Sequence, residues 1–389
     1  MALSLIINIK EVCILKIIMI GPVYPYKGGI AHYTSLMTQT LSKEHDVTLI
    51  SYSMQYPKIL YPRSSQKDYE NTSFKIDSTN YLINTINPFS YFKTARFIKK
   101  INPDLIIFQW WHPFFAPCYW SIAKLIKKHC KIIFLCHNVF PHEKFPLQRL
   151  LTRKTLSNGN AYIVHSKLDE QDLLSTIQNA VFKRTVLPTY NVFRLTDISQ
   201  ADARKELNIS SDSKVLLFFG FVRKYKGLKH LLNAMPKIVE KLPDCKLLIV
   251  GDIIESEKDD YLLRIKQTGC EDNIVLVSDY VPDKEVENYF SACDLVVLPY
   301  ESATQSGIVQ IAYGFNKPVV VTDVGGLSEV VINGKTGYVV PPFDHECIAT
   351  AVIDFFENKK LHAFEKKIRA EEYKYSWDRM SEIVNQLGK

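Results

Sequence analysis

The stretch Pro299–Gly326, PYESATQSGIVQIAYGFNKPVVVTDVGG, decides the fold. It reads as a strand end, a loop, a short helix, a second strand and a glycine turn. The strand PVVVTD is β-branched on both faces, which suits a parallel sheet covered by helices and not a half-exposed one. Before the helix IVQIAYGF stands SATQSG. Thr304 or Ser306 can cap that helix, and the N–H groups of Ser306, Gly307 and Ile308 are placed to meet an anion. Open α/β sheets bind ligands at the carboxyl ends of their strands, where this loop sits.

Working outward, the same pattern repeats along the chain. The first half offers KIIMIG, DVTLISYS, PDLIIFQW, KIIFLCHN and AYIVHS; the second offers KVLLFFG, CKLLIVGD, NIVLVSD, DLVVLPY, PVVVTD and GYVVPP. Segments such as GLKHLLNAMPKIVEKL lie between them, with apolar residues at helical spacing. This is βαβ repetition, hence a doubly wound α/β protein. It occurs twice, with a break in VLPTYNVFRLTDISQADARKELNI, where Pro188, Asn191 and Asp197 interrupt periodicity. The expected domains are 1–190, Rossmann-like and on the acceptor side, and 191–375, Rossmann-like and nucleotide-binding. Residues 376–389 form a helix that can pack on either.

The 389 residues suit two cores, and 47% apolar with 23% charged content is that of a folded globular protein. The N-terminal run before Lys16 is broken by Lys10 and Glu11, too short for a membrane helix, and reads as a poorly ordered extension. The eight cysteines form no C-x-x-C pair, which fits a reduced, cytoplasmic protein. HEKFP begins like a zinc-protease helix, but Pro146 stands where the second histidine belongs, so no metal is expected. Charge is uneven: residues 1–190 hold 23 Lys and Arg against 11 Asp and Glu, a net +12, and residues 191–389 a net −5. The basic half calls for an anionic partner.

Four turns carry the chemistry. KGGIAHY places Gly28 and Gly29 between a strand and a helix, where backbone can approach a ligand closely. FFGFVRKYKGL places Arg223 and Lys226 just past a strand and before a helix, a natural diphosphate clamp. The loop before IVQIAYGF is the third. His137, after KIIFLC, projects from a strand end. No G-x-G-x-x-G, Walker A or D-x-D sequence occurs.

In this order, these pieces resemble the retaining GT-B glycosyltransferases of family 4, the glycosyl transferases group 1. The resemblance rests on KGGIAHY, His137, FVRKYKGL, IVGD, CDLVVLPY, KPVVVTDVGGLSEVV and NGKTGYVVPP, and covers nearly the whole chain. It implies metal-independent transfer of a sugar from a UDP-, GDP- or ADP-sugar to an acceptor hydroxyl with retained configuration, and no cofactor. By resemblance, Arg223, Lys226 and the N–H groups after Ser306 stabilise the leaving diphosphate, and Gly28 and Gly29 let the first domain close on it. His137 contacts the sugar near its anomeric centre.

The sequence departs from the family in two places. Phe221 stands where the family has Arg, with Arg223 two residues on. The family's two glutamates, eight apart, fall here on Ala303 and Ile311. Glu301 and Gln305 are then expected to hold sugar hydroxyls, and Gln310 the ribose. A GT-B epimerase or phosphorylase would keep the same fold, and a non-catalytic sugar-nucleotide binder would fit the missing glutamates. YFKTARFIKKINP, WWHPFFAPCYW and YWSIAKLIKKHCK mix aromatics with lysines in the basic half, as a peripheral contact with an anionic membrane would, and as two solvated helix faces would. A glycan or lipid-linked acceptor fits that half. No nucleic-acid module is present.

Overall fold

The computed structural model describes residues 14–58, 66–69, 72, 74–141, 145–279 and 281–389. The N-terminal run through Cys13 and residues 142–144 of the HEKFP segment lie outside them.

Two parallel sheets form from the strand runs. The first contains β1 (Lys16–Ile20), β2 (Asp46–Met54), β3 (Asn80–Asn84), β4 (Leu105–Trp110), β5 (Lys131–Cys136), β6 (Ala161–Val164) and β7 (Phe182–Arg184), in the order β3-β2-β1-β4-β5-β6-β7. The second contains β8 (Lys214–Phe219), β9 (Cys245–Val250), β10 (Ile274–Val277), β11 (Leu295–Leu298), β12 (Val319–Thr322) and β13 (Gly337–Val340), in the order β10-β9-β8-β11-β12-β13. Every pairing is parallel; β1, for example, sets Ile17 against Val47 on one side and Leu105 on the other. The central strands are buried along nearly their whole length, as their two-faced apolar composition requires. The apolar runs do not announce β3 and β7. Both are short edge strands, only partly buried, so burial imposes no apolar signature on them.

In each sheet the strand order reverses at one strand: β1 in the first and β8 in the second. That reversal opens a crevice beyond the strand's carboxyl end. The turns after β1 and β8 are the ones carrying Gly28–Gly29 and Arg223–Lys226. The two crevices face each other.

Helices cover both faces of each sheet. On the first sheet, helix Pro88–Ile101 and helix Ala116–Ile126 close one core with Phe108, Tyr119 and Phe134. Helix Gly29–Leu41 closes the other, together with the C-terminal helix Trp377–Gly388, whose Met380, Ile383 and Val384 pack with Met19 and Tyr33. The chain therefore ends on the first sheet after completing the second. His45 Nε2 lies 2.7 Å from Asn385 Oδ1 across that contact. The two stretches that cross between the halves are tied together: Thr189 N donates to Tyr375 O at 2.9 Å, and Trp377 Nε1 donates to Thr189 O at 3.0 Å. Among the described residues no cysteine is in a disulfide, and no helix is long and apolar enough to cross a membrane.

Candidate active site

The crevices beyond β1 and β8 meet in a cavity of about 210 Å³. Gly28 and Gly29 form its wall from the first half, and Gly220, Lys226, Gly307 and Ile308 its wall from the second. Gly28 has φ +111°, a conformation glycine adopts without strain. A Cβ on either Gly28 or Gly29 would touch nothing within 4 Å, so the space belongs to the cavity. No side chain caps helix Gly29–Leu41, whose first N–H groups have no partner within the helix. Helix Gly307–Gly314 starts on the opposite wall. Ser306 caps it, accepting from Ile308 N at 3.2 Å, and Thr304 does not. Two helix N-termini thus point at one small space.

Lys226 stands between them. The short turn Lys224–Lys226 ends at Gly227, and Lys226 Nζ lies 3.1 Å from where a Cβ on Gly220 would be. Only 9% of Lys226 is exposed. Its ammonium lies 5.6 Å from the centre of the Tyr300 ring and makes no ion pair among the described residues. Burial, aided by the charge of Arg223, pulls its pKa down to about 8. A buried ammonium without a counter-charge is costly, and an anion between the two helix starts would supply one. Gly227 is fixed for a different reason: with φ +65°, its Cβ would sit 2.0 Å from Pro299 O.

The other residues singled out in the sequence take varied places. Arg223 is half-buried, stacked on Phe221 at 5.6 Å, and lies off the cavity wall while close enough to Lys226 to depress it. His137 is buried beside Tyr33. Its Nε2 lies 2.7 Å from Gln109 Oε1, and burial, then His165, holds its pKa well below the ordinary value. Its ring does not line the cavity; its carbonyl accepts from Gln305 Nε2 at 2.5 Å. Thr304 donates to Asn138, another contact between the halves. Glu301 Oε1 is held by Lys229 Nζ at 2.8 Å and His230 Nε2 at 3.0 Å. Burial opposes ionisation of Glu301, but the hydrogen bonds from Lys229 and His230 outweigh it and keep its pKa below the usual value. Gln310 is 1% exposed, and its Oε1 has no partner. The cavity wall from its helix is Gly307, Ile308 and Ile311. The two stand-ins expected for the missing glutamates therefore do not reach the cavity, because Glu301 is held by Lys229 and His230 and Gln310 lies one helical step off the wall.

The acids that do reach it are Asp252 and Asp283. Asp283 Oδ2 meets His32 Nε2 at 2.9 Å, joining the halves over the cavity. His32 lies inside KGGIAHY and Asp252 inside IVGD, motifs whose glycines carry the stronger sequence signal. Asp283 starts helix Asp283–Ala292, in a segment with no glycine signal. Further from the cavity, Glu329 accepts from Arg184 Nη1 at 2.6 Å and Lys167 N at 2.7 Å, a further clasp between the halves. A larger, polar cavity of about 460 Å³ opens between the two crossing stretches, lined by Asn191, Arg194 and Glu372. It lies at the carboxyl end of helix Gly307–Gly314, away from Lys226 and both helix starts. No group of three or more metal-ligating side chains occurs among the described residues.

Two doubly wound parallel sheets facing one cleft are the GT-B architecture. Residues 199–375 match the family of glycosyl transferases group 1, and residues 27–188 match glycosyltransferase family 4. The chain belongs to the group 1 glycosyltransferases, and its activity is glycosyl transfer. Among curated relatives, the N-acetyl-alpha-D-glucosaminyl L-malate synthase of Bacillus anthracis is 24% identical over 382 residues, covering 93% of each chain. Among solved structures, sucrose-phosphate synthase from Thermosynechococcus elongatus superposes with a TM-score of 0.73 at 18% identity, over 96% of this chain and 98% of that one. The Anabaena protein HepE, in complex with UDP and glucose, gives 0.73 at 16% identity, over 96% and 98%. These structural likenesses concern the fold.

Proposed function

We propose that this protein is a retaining, metal-independent glycosyltransferase. It moves a sugar from a nucleoside-diphosphate sugar to a hydroxyl of a glycan or lipid-linked acceptor, in cell-surface polysaccharide or lipid-linked glycan synthesis at the cytoplasmic side of the membrane. The observation that carries the reading is Lys226: a buried ammonium without a carboxylate partner, set between two helix N-termini. The HepE structures bound to UDP, to UDP and glucose, and to UDP-glucose support a nucleotide-sugar donor.

The chemistry follows from charge. As the glycosidic bond breaks, the leaving diphosphate gains negative charge. Fixed donors aimed at that charge lower the barrier, and they act strongly where water is excluded. Lys226 and the N–H groups beyond Ser306 meet the phosphates from the second half. Gly28 and Gly29 let backbone approach from the first. Arg223 adds field from just outside. Asp252 and Asp283 are the acceptors placed for nucleoside hydroxyls, in a wall where Ile311 offers none. His137, kept neutral by burial and held by Gln109, presents its carbonyl to Gln305 and so positions the loop beside the donor. The cavity of about 210 Å³ is below the ~300 Å³ at which small-molecule sites usually begin. A whole donor therefore enters with the halves parted, and the clasps at Asp283, Glu329 and Thr304 close afterwards.

Thermal-shift measurements with UDP-, GDP- and ADP-sugars test the donor, since a ligand of the folded state raises its stability. One of the three should raise the melting temperature of the wild type and fail to do so for Lys226→Met. Equal shifts in both proteins would remove Lys226 from the donor site.

A further inference from the structure

Three helices lie side by side on the outer face of the first sheet: Pro88–Ile101, Ala116–Ile126 and Gln148–Leu156. The residues from Ile86 to Asn160 include 12 Lys and Arg but only two acids, Asp104 and Glu143. Asp104 accepts from Lys16 N at the amino-terminal edge of the sheet, the edge away from the cleft. On helix Pro88–Ile101, Phe89, Phe92, Lys93, Arg96, Lys99 and Lys100 are all exposed. They recur at intervals of three and four, so they form one stripe opposite the buried Tyr91, Ala95 and Ile98.

The stripe is sorted along its length. Its apolar end comes first: Phe89 is 84% exposed and Phe92 59%, with Ile86 just before them at 57%. Its basic end, Lys99 and Lys100, is the last turn. Helix Gln148–Leu156 repeats the arrangement, with Leu147 (70%) and Leu150 (49%) at its start and Arg153 and Lys154 in its last turn. Trp120 lies between the two helices' neighbours, 5.1 Å from Lys124 Nζ and 5.9 Å from Lys154 Nζ. Lysines in a last turn favour the helix dipole and need no partner. Exposed phenylalanines and leucines gathered at the starts of two helices have no such explanation. Each of these helices follows the carboxyl end of a first-sheet strand, β3 or β5, so the apolar ends stand at the edge of the sheet that faces the cleft.

We infer that this face docks on an anionic lipid bilayer, with Phe89, Phe92, Leu147 and Leu150 inserted at the cleft edge and the lysines lying over headgroups. A nucleic acid or an acidic protein surface would match the cations but not the apolar tip. The donor reading stands apart from this one, but the placement deepens it: an acceptor anchored in the bilayer would enter the cleft beside the inserted edge, so the acceptor is lipid-linked.

Flotation of the full chain with vesicles tests the inference. The protein should bind vesicles of equal parts phosphatidylcholine and phosphatidylglycerol, and not phosphatidylcholine alone. Neutralising Lys99 and Lys100 together, as Lys99→Gln and Lys100→Gln, should weaken binding about thirty-fold. Phe89→Ser with Phe92→Ser should weaken it at least ~10-fold. Both double variants should keep the wild-type thermal shift with the nucleotide sugar, which separates this test from that of the donor site. Absence of binding to the mixed vesicles, or equal binding to both kinds, overturns the inference. So does a phenylalanine variant that binds like the wild type, because charge alone would then account for the contact.

Discussion

The turns after β1 and after β8 occupy equivalent places, each at the strand where its sheet reverses order, yet they contribute opposite things. The first is empty. Gly28 and Gly29 leave open space and uncapped N–H groups, with no lysine or arginine from the first half among the described residues of the wall. The second is crowded and charged: Gly220 admits the Lys226 ammonium, and Gly227 fits against Pro299 O. One half thus provides room and the other provides charge. A glycine has a different meaning in each: in the first turn it clears space for a ligand, and in the second it lets protein atoms approach one another.

Substitutions can break that comparison, beginning with the largest effect. Lys226→Met should lower kcat/KM by roughly 10²–10³-fold, the cost of losing one fixed donor to a developing charge, while raising the melting temperature. The sign follows from linkage. The pKa of Lys226 is about 8 in the folded chain against 10.5 for an ordinary lysine, so the unfolded chain binds more protons between those values. Stability rises with pH across that window, and the full cost of burying the charge is present below it. Removing the charge at neutral pH should return about 2–3 kcal/mol. In the wild type, kcat/KM should fall as pH rises past about 8 and Lys226 loses its proton. Denaturant melts and pH–rate profiles check both. A variant that is less stable and equally active would place the ammonium in a structural role.

The two glycines separate the two turns. Gly227→Ala should destabilise by about 2–4 kcal/mol, because the added Cβ meets backbone that cannot retreat. Gly28→Ala should cost only about 1 kcal/mol of stability, from its positive φ, yet lower kcat/KM about tenfold by filling ligand space. Equal stability losses would mean that the first turn is packed like the second. Glu329→Gln loosens a clasp between partly exposed partners. It should move stability by no more than about 1 kcal/mol, with a several-fold rise in KM if closure follows donor entry. Gln310→Met should do least. It replaces an amide whose buried Oε1 has no partner with a side chain of similar shape, so stability should hold or rise and donor affinity stay unchanged. A large loss of affinity would return Gln310 to the cavity wall.

Much of the site was legible because it is local. The glycine turns, Lys226 and the Ser306 cap lie immediately after strands, where a parallel sheet puts its ligands. The rest depended on direction. Gln310 and Ile311 are adjacent in sequence, but one helical step of about 100° puts Ile311 on the wall and Gln310 in the interior. Glu301 was a fair candidate until Lys229 and His230 claimed it, and His137 until Gln109 did. His32 and Asp283 were missed because neither signals anything alone.

The sequence by itself determined the two doubly wound halves and the turns that follow their strands. Strand runs apolar on both faces have no stable home except between layers of helices, and that constraint is written along the chain. Only the tertiary structure decided which polar side chains face the cavity, that the last helix returns to the first sheet, and that His32 meets Asp283. Those outcomes depend on contacts between segments far apart in the chain, where helix rotation, competing partners and closure of the two halves set each side chain's direction and partner.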